Sequence, residues 1–173
     1  RVRCGRLSWA PDNNRFSLSR TDQRKVKDLW VINSLANPRP TLETYRYAMP
    51  GAEEMPQTEI YVYDLAQSEM PRINVELYKD QTVSVYTKRR DPTVRTPQPS
   101  IWMSENNREL WFSRQSRDMH KVDVCVADVE TGEVRVVIEE RLNTYIEMQG
   151  LVMFKDRNEL VWWSERDGWG HYY

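Results

Sequence analysis

An all-β fold, a partial β-propeller of about three to four blades of antiparallel strands, is what this sequence predicts, on three observations. The aromatic residues are mostly Trp and Tyr, seven and nine against three Phe, and with Val and Ile they favour pleated, half-buried surfaces. Apolar residues recur with period two in short runs, as in Thr41–Ala48, Glu59–Leu65 and Val122–Ala127. One phrase also recurs along the chain at an interval suited to blades.

The fullest copy of the phrase is Pro99 to Asp128. Trp102 is followed by a polar turn through Ser104–Arg108, then by the strand-like run Leu110–Arg114. A second turn leads to Val122, Val124 and Val126, which alternate with Asp123, Cys125 and Ala127. An earlier copy begins at Trp9 and passes through Pro11–Arg15 to Phe16–Arg20. A later one runs from Phe154 through Lys155–Asn158 to Leu160–Glu165. Ser113 and Ser164 are 51 residues apart and Ser19 and Ser113 are 94, close to two steps of about 47.

In chain order, residues 5–20 read as two strands joined at Pro11–Asn14. The polar stretch 21–28 is a connection and Leu29–Ile32 a strand. Pro38 and Pro40 hold the next segment extended. Segments 41–48 and 58–65 are expected to pair as an antiparallel hairpin across the loop 49–57. Weaker strands are expected at 73–78 and 82–86, and a crossing through Lys88–Pro99. Asp128-Val129-Glu130-Thr131-Gly132-Glu133 is a tight turn leading to a strand at 134–138. Residues 139–148 read as another crossing with strand character at 145–148, and a last strand begins at His171. This gives approximate blades 1–65, 66–98, 99–140 and 141–173, the last incomplete, within a single propeller domain.

The 173 residues suffice for one domain with a substantial core. A net charge of -1 and a pI near 6.2 supply no basic field for nucleic acid, and the charged residues are interspersed as on a solvated surface. No run approaches the roughly 18 apolar residues of a membrane span. The first residues lack both the apolar core of a signal peptide and an initiator Met, so the chain is expected to be a piece of a longer protein. Cys4 and Cys125 are the only cysteines; buried free thiols are expected, although one bridge remains open to them. No cofactor or metal is expected.

Read for catalysis, the sequence holds no nucleophile elbow, because no two of its six glycines frame a serine. His120 and His171 lie at a polar turn and a strand start, and neither is expected to serve as a triad base.

Four phrases together, Trp9–Phe16 (WAPDNNRF), Leu42–Gly51 (LETYRYAMPG), Glu59–Asp64 (EIYVYD) and Trp162–Tyr173 (WWSERDGWGHYY), resemble the β-propeller of the dipeptidyl peptidase IV group in the prolyl oligopeptidase family. In that family an N-terminal propeller covers a C-terminal α/β-hydrolase domain carrying a Ser-Asp-His triad. The resemblance implies a non-catalytic propeller segment of a serine-type dipeptidyl peptidase. It would gate access of peptides to the hydrolase and help position their N-termini, with the hydrolase domain and peptide substrates as partners. It also implies an extracytoplasmic location. The alternative is a stand-alone propeller that binds a protein or glycan.

The family holds a substrate amine with two glutamates, and that pair is expected upstream of residue 1. Glu53-Glu54 and Glu139-Glu140 are therefore read as exposed loop residues, and no catalytic, metal, cofactor or substrate residue is assigned. Arg20, Asp22 and Arg24 are expected to meet solvent or to pair between blades, with a channel-facing position as the sharper alternative. Trp9, Trp102 and Phe154 are expected as equivalent packing rungs between blades, with peptide stacking the alternative. Among Trp162, Trp163 and Trp169 one ring is expected at the surface. The open blade faces are expected to drive self-association.

Overall fold

The computed structural model describes residues 2–154 and 159–173, with side chains from residue 5 onward. Cys4 and the closing copy's Lys155–Asn158 lie outside the residues so described. The described chain is strands and turns only.

The first sheet takes β1 (Val2–Trp9) and β2 (Arg15–Asp22). A projecting hairpin follows, β3 (Asp28–Asn33) with β4 (Thr41–Arg46). The sheet resumes with β5 (Gln57–Asp64) and β6 (Arg72–Ile73), in the order β1-β2-β5-β6. The second sheet is β7 (Thr82–Val85), β8 (Glu109–Gln115), β9 (Lys121–Asp128) and β10 (Val134–Arg141), a meander in sequence order. Then come β11 (Val152–Phe154) paired with β12 (Glu159–Val161), and β13 (Trp163–Ser164) paired with β14 (His171–Tyr172). Every one of these strand pairings is antiparallel.

The expected hairpin between 41–48 and 58–65 does not form: β4 pairs with β3 in register Asp28↔Arg46 to Asn33↔Thr41, and β5 pairs with β2. Burial decides this. Only against β2 do Ile60 and Val62 reach the core, where they are 0% and 2% exposed. The β3–β4 ribbon is instead exposed along nearly its whole length, with Trp30 72% and Ile32 70% accessible. Residues 66–98, expected as a blade of their own, supply β6 to the first sheet and β7 to the second. The strand after Gly132 runs on to Arg141, and 145–148 is not a strand.

Two apolar layers hold the sheets face to face. Because side chains alternate across a strand, β8 and β9 are buried on both sides. Leu110, Phe112, Cys125 and Ala127 face the first sheet and meet Ile60, Val62, Ile73, Val75 and Trp102. Trp111, Val122, Val124 and Val126 face the last strands and meet Met103, Ile146 and Trp162. Trp102 is fully buried, and its indole N–H lies 3.1 Å from both the Ser8 carbonyl and Ser17 Oγ.

The three expected rungs part company. Trp102 sits between sheets as expected. Trp9 packs at a tilt against Phe16, and Phe16 stacks on Tyr63, along the face of the first sheet turned away from the second. Phe154 is 47% exposed, and its neighbour Met153 packs toward the second sheet in its place. A register shift of one residue exchanges the faces of a strand, which accounts for the substitution.

The turn geometry repeats more faithfully than the aromatics. Asp128 accepts from the backbone N–H groups of Glu130 and Thr131 and from Arg108, and Gly132 takes φ +77°. Asp64 accepts likewise from Ala66, Gln67 and Arg15, with Ser68 at φ +56° in the glycine's place. Glu130 bridges the two corners, 3.3 Å from Arg15 and 3.2 Å from Arg108.

Candidate functional site

Strands β2 and β5 run antiparallel, so the end of one and the start of the other share a rim. The segment 76–81, which leaves β6 for the second sheet, returns to the same rim. Between them opens a groove of about 1290 Å³, lined by Asp22, Arg24, Glu53, Glu54, Glu59, Arg72, Tyr78 and Asp80 among others. Two residue groups singled out from the sequence, Asp22 with Arg24 and Glu53 with Glu54, thus meet at one place.

Most of its charges are already partnered. Arg24 grips Asp22 through Nη2 at 2.6 Å and Nε at 3.0 Å; these hydrogen bonds, with one from the Arg24 backbone, hold the Asp22 carboxyl far below the usual range. Glu59 lies between Arg20 at 3.5 Å and Arg72 at 3.8 Å and accepts from the Tyr61 hydroxyl. Arg20 therefore pairs within its own sheet. Asp80 accepts from Gln57 at 3.0 Å and from Arg117 at 3.4 Å. The same Arg117 nitrogen also donates to the Ala52 carbonyl at 2.8 Å, tying the loop of Glu53 and Glu54 to the second sheet. Glu53 and Glu54 are exposed and stand in no ion pair among the described residues.

Behind the groove lies a buried charge cluster. Asp123 is 1% exposed and accepts from Arg114 Nε at 2.8 Å, Arg141 Nη2 at 2.6 Å and the Tyr78 hydroxyl at 2.9 Å. Burial alone would raise the Asp123 pKa, but these three hydrogen bonds outweigh it and hold the carboxyl low. Burial, then the bond to Asp123, pushes the Tyr78 hydroxyl up to about 12. Arg141 also lies over the Tyr78 ring, 5.5 Å from its centre.

The remaining candidates scatter. His120 is half-buried at a turn and His171 exposed, and neither imidazole hydrogen-bonds a serine among the described residues. Glu139 is exposed, but Glu140, read as an exposed loop residue, is 3% exposed; it accepts from the Trp162 indole and from Ser164 Oγ at 2.6 Å. Trp162 is buried and Trp169 is the exposed ring of its group, at 78%. Cys125 is a buried free thiol, its pKa pushed up to about 11 by burial. Among the described residues no group of three His, Cys, Asp or Glu side chains is placed to hold a metal. Among the described residues no helix is long and apolar enough to cross a membrane. The lining of the groove is polar and largely charged, and among the described residues it carries no nucleophile–base pair.

Sequence reasoning passed over Asp123, Arg114, Tyr78 and Arg117. Asp123 did leave a signal, a carboxylate inside the run Val122–Ala127 whose other members suit burial on both faces. Arg117 left none, because its partners are 37 and 65 residues away.

Residues 5–173 match the family described as the dipeptidyl peptidase IV (DPP IV) N-terminal region. The chain belongs to that family. Solved structures agree in fold. The crystal structure of Porphyromonas gingivalis dipeptidyl peptidase 4 superposes with a TM-score of 0.78 at 16% identity, over 98% of this chain and 22% of that one. A putative dipeptidyl aminopeptidase IV from Bacteroides ovatus gives 0.74 at 20% identity, over 99% and 24%. This DPP IV N-terminal region therefore spans under a quarter of the length of those enzymes, and its sheets are propeller blades.

Proposed function

We propose that this chain is the non-catalytic propeller segment of a serine-type dipeptidyl peptidase. On this reading its partner is an α/β-hydrolase domain in the same parent chain, and its location is extracytoplasmic. It admits extended peptides, excludes folded proteins and helps position peptide N-termini before the chemistry. The observation that carries the reading is family membership across residues 5–173, in a chain without a nucleophile elbow or an oriented histidine. The physical argument is steric and entropic. Blades sealed by two buried apolar layers do not part to admit a folded domain, and a pre-formed passage orders a peptide before it reacts.

The test uses the full-length protein with a Gly-Pro chromogenic amide, and with one Gly-Pro N-terminus presented on a short peptide or on a folded domain. Cleavage of the amide and the peptide but not of the folded domain is expected. No cleavage of the amide would remove the peptidase assignment, and equal cleavage of peptide and folded domain would remove the gating role.

A further inference from the structure

Charge pairing in this chain is uneven. Of the arginines whose side chains are described, eleven stand in ion pairs. The five that pair with no carboxylate among the described residues are Arg6, Arg39, Arg89, Arg90 and Arg95, and the last three share the single loop that joins β7 to Trp102. All three are exposed. Arg90 makes only a long hydrogen bond, 3.4 Å to Ser100 Oγ.

The loop is built to hold them out. Gln98 staples it from within: its Oε1 accepts from the Asp91 N–H at 3.1 Å, and its Nε2 donates to the carbonyls of Asp91 at 2.8 Å and Val94 at 3.4 Å. Asp91, the one carboxylate in the loop, is turned onto Thr93 N and Oγ1 at 2.8 and 2.6 Å. Pro92, Pro97 and Pro99 restrict the backbone further. Binding to a surface already ordered forfeits little conformational entropy.

Its place is also defined. Trp9 N–H donates to the Ser100 carbonyl and Trp102 N–H to the Trp9 carbonyl, both at 2.8 Å, so consecutive blades touch backbone to backbone at the edge where the end of β1 meets the segment 100–102, which itself pairs with Thr87 just beyond β7. Blades converge on the axis of a propeller, and that edge is therefore the axial one. The loop emerges beside the start of β2, at the rim opposite the groove.

We propose that Arg89, Arg90 and Arg95 form a docking surface for acidic peptide segments at the mouth of the propeller, which makes acidic peptides the favoured substrate class. This rests on the gating role proposed above. Guanidinium forks match carboxylates and phosphates alike. A polyanion such as nucleic acid, however, would extend past the loop onto a chain of net charge -1, where no field attracts it. Two or three carboxylates in a short peptide fit what the loop offers. The pairs are exposed, so the gain is modest and salt-sensitive, about three- to tenfold in capture of the peptide.

The full-length protein is given two peptides with the same Gly-Pro start, one continuing in three Glu and the other in three Gln. Their kcat/KM values are compared for wild type and for Arg89→Gln/Arg90→Gln/Arg95→Gln, at low salt and at about 0.5 M, where screening shortens to a few ångströms. The Glu peptide is expected to lead by about three- to tenfold at low salt. The lead should vanish in the variant and at high salt, while turnover of the neutral chromogenic amide stays unchanged. Equal rates for the two peptides, or a lead that survives in the variant, would overturn the proposal and leave the gating role standing. If neither peptide is cleaved the gating role fails instead, and anisotropy of a labelled Glu peptide decides the docking surface. Arginine-dependent binding supports it; no binding, or tighter arginine-dependent binding of a single-stranded oligonucleotide, overturns it.

Discussion

Trp102→Ala tests the seam between the first two blades. The side chain is fully buried among Leu110, Phe112, Ile60 and Val62, and its indole N–H is shared by Ser8 O and Ser17 Oγ. Truncating a buried Trp to Ala costs about 3–5 kcal/mol, lost transfer energy plus the cavity left behind. At roughly 2–4 °C per kcal/mol for a chain of this size, the melting temperature should fall by about 6–20 °C. Trp102→Phe separates the two contributions. It keeps an apolar ring and removes the donor, but Ser17 Oγ retains the Ser8 hydroxyl at 2.7 Å, so a loss of only about 1–2 kcal/mol is expected. Thermal unfolding followed by circular dichroism reads both variants. A loss below about 1 kcal/mol for the Ala variant would mean that the blades are not sealed at this residue, and a Phe variant as damaged as the Ala variant would mean that the indole N–H carries the site.

Asp123→Ala should cost about 3–5 kcal/mol in chemical denaturation, because Arg114, 8% exposed, would be left buried without its carboxylate. The folded pKa of Asp123 lies below its unfolded value, so its contribution is complete above about pH 4 and is lost as pH falls through the folded value; the variant's stability should change less with pH across that window. Glu140→Gln leaves one of two donors, the Trp162 indole or the Ser164 hydroxyl, facing an amide N–H, and about 1–3 kcal/mol should be lost in urea titrations. Ser68→Gly relieves a left-handed backbone at the position where the second blade uses Gly132, and a gain of about 0.5–1 kcal/mol is expected in the same titration. Cys125 should resist a thiol reagent in the native state and react at once in denaturant, since burial pushes its pKa up to about 11.

Strand existence was legible where local chemistry and tertiary demand agree. Val122–Ala127 alternates because two different layers cover its two faces, and Asp128–Glu133 reads as a turn because an Asp carboxylate and a left-handed Gly complete it locally. Pairing was not legible where two partners offer similar patterns. Thr41–Arg46 and Gln57–Asp64 are adjacent and both alternate, yet Ile60 and Val62 must reach a layer built from residues some 50 to 70 positions on. Phe154 failed for a related reason: an aromatic next to a turn marks a rung only if the register is known, and Met153 takes that rung. At the groove, Asp22 with Arg24 was readable as a local cluster, but the tie from Arg117 to Ala52 was not, because nothing near Arg117 in sequence records it.

The distribution of these features bears on how such a segment acquires a function. The blade interfaces are apolar and buried, and the recurrent corner ion pairs, Asp64 with Arg15 and Asp128 with Arg108, sit where strands turn. Between those fixed points the chain varies most at the rims: a six-pair ribbon inserted between β2 and β5, a stapled basic loop between β7 and Trp102, and a groove whose lip is tied across to the next blade. Substitutions at the rims touch neither apolar layer, so they cost the fold little. The same separation fits Glu53 and Glu54, which among the described residues stand in no ion pair beside a groove whose other carboxylates, Asp22, Glu59, Glu76 and Asp80, are engaged. If Glu53→Gln/Glu54→Gln leaves the melting temperature unchanged while altering peptide capture, the rim carries the function; a variant that melts lower would show that these carboxylates belong to the scaffold.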